Sequence, residues 1–164
     1  MKVFIAGIMQ GSRTDRLIAG QDYRSRITSA LQANIPNVQI IDPFQLNPDS
    51  VDYDSEKAIE TFKVNTAKAA EADVLIAYLP TASMGTAIEM WTAFSAEKYI
   101  VVVSPLEHNW VIQVTADEVL PDLDALIASI ENGQFKSGAG GRTAFPGNAN
   151  RCRLLPPCRT PRTP

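Results

Sequence analysis

The stretch DVLIAYLPTASMGTAIEMWTAF, from Asp73 to Phe94, decides how the chain is read. Val74, Leu75, Ile76, Ala77 and Tyr78 form a near-continuous apolar run, the signature of a parallel strand covered on both faces. Pro80 stops it, and Ser83, Met84 and Gly85 form a loop. Thr86 then opens a helix with Ile88, Trp91, Thr92 and Ser95 at helical spacing, which puts Glu89 in its first turn. A carboxylate there points back to the carboxyl end of the strand, where open α/β sheets place their ligands. The same residues fit a second reading. Thr86-Ala-Ile-Glu89 has the spacing of a capping box, in which threonine and glutamate satisfy the helix's first N–H groups.

Working outward, apolar strand-like runs alternate with helical patterns. Lys2 to Gly7 reads as the first strand, although the same start also has the look of a short signal sequence without a clear cleavage site. A polar loop follows to Asp22, then a helix to Ala33 with Ile27, Ala30 and Leu31 on one face. Val38 to Ile41 is a second strand, and Gln45 to Tyr53 a loop. A long helix from Asp54-Ser55 to about Ala72 carries Ile59, Phe62, Ala69 and Ala70 as inward candidates. After the central stretch, Tyr99 to Ser104 is a strand and Trp110 to Val114 a short edge strand. Leu120 to Ile130 is the last helix. Such alternation predicts a flavodoxin-like three-layer α/β fold: a five-stranded parallel sheet, order 2-1-3-4-5, with helices on both faces. That order sets the loop after Gly7 against the loop before Glu89.

Charge is unevenly spread. All 18 acids lie at or before Glu131, with nine of the 15 bases; the other six bases follow it. An acidic body argues against a nucleic-acid surface, and no run is long enough to span a membrane. His108 is the sole histidine, and both cysteines, Cys152 and Cys158, sit near the carboxyl end. The body therefore has neither a disulfide framework nor a Cys- or His-based metal centre, and a cytoplasmic location is the default expectation. Residues 1–135 are expected to form one domain. Residues 136–164 are rich in Gly, Pro and Arg, lack any acid, and are expected to be a disordered tail, either native or of vector or frameshift origin. A basic arm for a partner is the alternative.

Asp73, Ser83, Gly85, Thr86, Glu89 and Ala93 together resemble the signature of the nucleoside 2-deoxyribosyltransferase family, and the resemblance runs over roughly residues 2–131. It implies that Glu89 is the nucleophile, attacking the anomeric carbon and forming a glycosyl ester that another base or water resolves. It implies no cofactor and no metal, a nucleoside or nucleotide as ligand, and a homodimer or higher homo-oligomer. Ser83 stands where the family's free-nucleoside transferases often have Asp and its 5′-monophosphate hydrolases have Ser. The loop Gly7-Ile8-Met9-Gln10-Gly11-Ser12-Arg13 resembles the hydrolases' phosphate loop, so Gly7, Ser12, Arg13, Ser83 and Gly85 are candidate ligand-binding residues. Asn109 lies where the transferases bring an Asn from a neighbouring subunit.

Two positions depart from that pattern. Asn65 stands where these enzymes usually carry an Asp, and an amide binds but cannot act as an acid. Phe4 stands near a Tyr whose hydroxyl orients the nucleophile in the family. Both departures suit a non-catalytic nucleotide-binding module on the same fold. A flavodoxin-like redox protein is a weaker third reading, because the first loop lacks a run of hydroxyl residues.

Overall fold

A computed structural model describes residues 1–11, 14, 15 and 17–135. Ser12, Arg13 and the expected tail at 136–164 lie outside the described residues. Five strands, β1 (Lys2–Gly7), β2 (Gln39–Ile41), β3 (Val74–Tyr78), β4 (Tyr99–Val103) and β5 (Glu118–Leu120), form one sheet in the order β2-β1-β3-β4-β5. Every pairing is parallel, and Gly7 at the end of β1 lies opposite Tyr78 at the end of β3. The expected architecture is the observed one.

Alternation along the strands builds two cores. Phe4, Ala6, Leu75, Ala77, Ile100 and Val102 face one side. There they meet α3 (Ser55–Glu71), α4 (Met84–Ser95) and α5 (Trp110–Thr115) through Ala69, Met90, Phe94 and Ile112. Val3, Ile5, Val74, Ile76, Val101 and Val103 face the other side, against α1 (Asp22–Asn34) and α6 (Leu123–Glu131). A short helix, α2 (Pro43–Leu46), and a 3-10 turn at Ser50–Asp52 interrupt the expected loop between β2 and α3. Short polar side chains start the helices: Asp54 accepts from the Lys57 N–H at 2.8 Å and Asp122 from the Ala125 N–H at 2.8 Å. Among the described residues no helix is long and apolar enough to cross a membrane.

Three expectations need correction. Trp110–Val114 is not a strand but most of α5, started by Asn109, which accepts from the Val111 N–H at 3.0 Å. Its buried residues, Ile112 and Thr115, follow helical spacing, while Trp110 is largely exposed. The fifth strand is Glu118–Leu120, too short and too mixed to announce itself by alternation. Leu120 therefore belongs to that strand, and the last helix begins only after Pro121 and the Asp122 cap. In α3, Ala69 is buried but Ile59 and Phe62 are exposed. The amino half of this helix contributes no buried residue.

Leu75 is wholly buried in the central strand. Leu75→Ala is expected to lower unfolding free energy by about 3 kcal/mol, read as a lower urea midpoint at unchanged denaturant slope.

Candidate active site

The helix that carries Glu89 is capped three residues before Thr86, the residue expected to open it. Ser83 is its cap, with its Oγ accepting from the Thr86 N–H at 3.4 Å and from the Thr86 hydroxyl at 3.1 Å. Thr86 is thus the third residue of α4 and Glu89 the sixth, in the second turn rather than the first. This removes the capping-box reading: the cap's partners are filled without Glu89. It also removes the helix terminus as the main influence on the carboxylate, since that field fades within the first turn.

Glu89 instead lines a cavity of about 320 Å³ at the carboxyl edge of the sheet. Gly7 and Gly11 close it from the β1 side, Asn65 and Phe62 from α3, and Ser83 and Gly85 from the start of α4. Asn47, Ser50 and Tyr53, from the segment after α2, complete the wall. Five of the candidate residues, Gly7, Asn65, Ser83, Gly85 and Glu89, therefore converge on one space. Asn109 does not join them. It lines a neighbouring cavity of about 400 Å³ with Leu79, Met90, Leu106 and Ile112, and the two spaces share Gly11, Ser83 and Met84. Asn109 Oδ1 is already engaged in starting α5. His108 is exposed and lines neither cavity. Ser12 and Arg13 lie outside the described residues.

Burial governs the electrostatics. Loss of water around Glu89 pushes its carboxyl up to about 7, and the positive charge of Arg24 partly opposes this. No described residue hydrogen-bonds to the carboxylate. Asn65 adds a second unmet group, a buried amide oxygen without a partner among the described residues. Two unmet polar groups in one cavity are what a polar ligand would satisfy.

Arg24, Asp42 and Tyr23, which the sequence reading did not single out, line neither cavity, but the Arg24 charge is felt at Glu89. Arg24 is buried on α1, where its Nη1 donates to Asp42 Oδ1 at 2.8 Å and to the Ile5 carbonyl at 2.7 Å. Its Nε donates to Gln21 Oε1 at 2.6 Å. Asp42 also accepts from the Phe44 N–H at 2.9 Å, while its other oxygen is buried without a partner among the described residues. Tyr23 stacks on Tyr78 with ring centroids 4.4 Å apart, and its hydroxyl fills the space a β-carbon on Gly7 would need. Glycine is required at position 7 for that reason. At Gly85 a β-carbon would meet nothing, so that glycine has no steric cause. One signal was available: Asp42 ends a strand at the ligand-binding edge. Nothing distinguishes Arg24 from Arg26 in the sequence.

No protein-family model matches the chain, and no curated protein matches it. Solved structures do. A 2-deoxyribosyltransferase from Bacillus psychrosaccharolyticus is 15% identical, with 79% of this chain and 96% of that one covered and a TM-score of 0.57. A conserved protein from Enterococcus faecalis V583 is 17% identical over 81% and 98%, with a TM-score of 0.54. A CMP N-glycosidase from Clostridium botulinum is 16% identical over 80% and 99%, at 0.49. The fold is shared. At these identities the likeness speaks for the fold alone.

The raised pKa of Glu89 has a stability consequence. The unfolded chain ionises this group near its ordinary value of 4.5, the folded one near 7. The folded state thus holds the extra proton between these values, and its stability falls as pH rises through that window. Glu89→Gln, which cannot ionise, is expected to match the wild type near pH 4 and exceed it at pH 8 by up to about 3 kcal/mol in urea unfolding.

Proposed function

We propose that this protein cleaves the N-glycosidic bond of a nucleoside or its 5′-monophosphate, with Glu89 as nucleophile. A Glu89 oxygen attacks C1′ as the C1′–N bond breaks and its electron pair leaves on the base nitrogen, which takes a proton from water. The resulting glycosyl ester is resolved by water or by a second base, whose attack on C1′ expels the carboxylate. The observation that carries this reading is the cavity itself. A partly buried carboxylate, unpaired among the described residues, stands among Gly7, Asn65 and Ser83 at the edge where parallel sheets bind ligands. That a 2-deoxyribosyltransferase has the same fold supports it.

Roles follow from chemistry. Positive charge developing on the sugar favours the ionised carboxylate, which in the empty site is only partly populated at neutral pH. Asn65 holds the base by hydrogen bonds but gives it no proton. The Ser83 hydroxyl accepts twice from Thr86, which leaves its own hydrogen for a sugar hydroxyl or phosphate. Ser12 and Arg13 are proposed to complete a phosphate cradle with Gly7 and Gly85. Deoxynucleosides, ribonucleosides and their 5′-monophosphates should be incubated with the protein and free base measured by chromatography. Base release is expected, rising with pH through about 7, and about a thousandfold slower in Glu89→Ala and Glu89→Gln. Release that survives both substitutions removes Glu89 as nucleophile. No release from any substrate favours a nucleotide-binding module, which Asn65 and Phe4 also suit.

We further propose that the working form is a homo-oligomer. Met84, Ile88 and Trp91 form an exposed apolar stripe along α4, and Trp110, Val111 and Val114 form another on the adjacent α5. A second copy covering them would bring its own Asn109 near this strip. Sedimentation of the wild type as a dimer or larger, and of the Trp91→Glu, Trp110→Glu double variant as a monomer with unchanged helix content, is the expected result. A monomeric wild type refutes it.

A further inference from the structure

We propose that the site selects oxo-bases over their amino counterparts, with Asn65 holding the base by its lactam edge. An oxo-base here is one with an N–H beside a carbonyl, such as uracil, thymine or hypoxanthine; the counterparts are cytosine and adenine. The inference rests on Glu89 being the nucleophile and names the leaving group that such a site serves. Its ground is what the cavity contains. Among the described residues that line it, only Glu89 and Tyr53 can ionise. Glu89 is the attacking group and cannot also deliver a proton. The Tyr53 hydroxyl donates to Asn47 Oδ1 at 3.3 Å. Asp52 and Asp54, on either side of Tyr53, are exposed and line neither cavity, and Asp54 is the cap of α3. Asp42 is paired with Arg24 at 2.8 Å. His108 is exposed and away from both cavities. Ser12, Arg13, Arg16 and residues 136–164 include no Asp, Glu or His.

A base that receives no proton leaves as its anion. As a Glu89 oxygen bonds to C1′ and the C1′–N bond breaks, the electron pair passes to the base. In an oxo-base this charge spreads onto carbonyl oxygen. In cytosine an amino group replaces one such carbonyl, and the anion is much less stable. The anion then takes a proton from water, and the hydroxide equivalent left behind balances hydrolysis of the ester. Asn65 suits this leaving group. Its Oδ1 is buried without a partner among the described residues and accepts the lactam N–H, while its amide N–H donates to the adjacent carbonyl. The second bond strengthens as negative charge reaches that oxygen, so it favours the transition state over the bound substrate. Phe62 stands three residues before Asn65 on α3, exposed and lining the same cavity, where its ring offers a face for the base.

The test compares kcat/KM for base release at about pH 8, where none of these bases is protonated, within pairs that share a ring system. Deoxyuridine is expected to exceed deoxycytidine about a hundredfold, and deoxyinosine to exceed deoxyadenosine about tenfold, as nucleosides or as 5′-monophosphates. 5-Fluorodeoxyuridine, whose base is a more stable anion, is expected to react faster than deoxyuridine. Asn65→Asp restores an acid. It is expected to raise deoxycytidine cleavage about a hundredfold near pH 6 and to give that reaction a falling limb as pH rises, which a packing role for Asn65 would not produce. Amino-bases released by the wild type as fast as their oxo counterparts overturn the proposal and leave Glu89 as nucleophile. No release from any of these substrates, or release that persists in Glu89→Gln, overturns the catalytic reading itself.

Discussion

Strands β1 and β3 lie side by side, yet the helices that follow them pack on opposite faces of the sheet: α1 follows β1 and α4 follows β3. Two chains that part in this way cannot close over the strand ends between them, and a crevice is left. Everything chemical in the molecule is arranged around that opening. Ser83, Gly85 and Glu89 come to it along α4, Gly7 and Gly11 close its near side, and α3 brings Phe62 and Asn65. The exposed position of Phe62, which would be a fault in a core, is a wall here.

Glu89 owes its character to two opposed influences. Removal of water favours the neutral acid, and the Arg24 guanidinium favours the anion. Arg24 is itself buried and costly to hold there, so it is tied down by Asp42, the Ile5 carbonyl and Gln21. A buried ion pair of this kind adds little net stability compared with a well-packed apolar pair. What it does supply is a fixed positive charge under the sheet's edge that neither solvent nor salt readily screens.

The sheet was legible because β1, β3 and β4 are apolar runs and most of the helices have short polar starters. Alternation implied a parallel sheet; the order 2-1-3-4-5 is one of the common doubly wound orders, and its fifth strand was expected on the wrong segment. The errors lie where a segment is short or where two neighbouring residues compete for one role. Trp110–Val114 is apolar enough for a strand, but an asparagine in front of it turns it into a helix. Ser83 and Thr86 are both able to start a helix, and the choice between them moved Glu89 by nearly a full turn. The site was half legible. Residues along one stretch, or at the ends of recognisable strands, were found. Arg24 and Tyr23 sit on a helix on the far face, and only the three-dimensional packing reveals that the Arg24 charge is felt at Glu89.

The absent side chain at position 7 ties two distant parts of the chain to a shared history. Any larger residue there would collide with the Tyr23 hydroxyl, and any smaller ring substituent at 23 would open a void beside the strand. Neither site is free to drift alone. Descendants of this sequence can leave the glycine only by surrendering the phenol first, so a glycine at 7 without tyrosine at 23 should mark lineages in transit between two solutions.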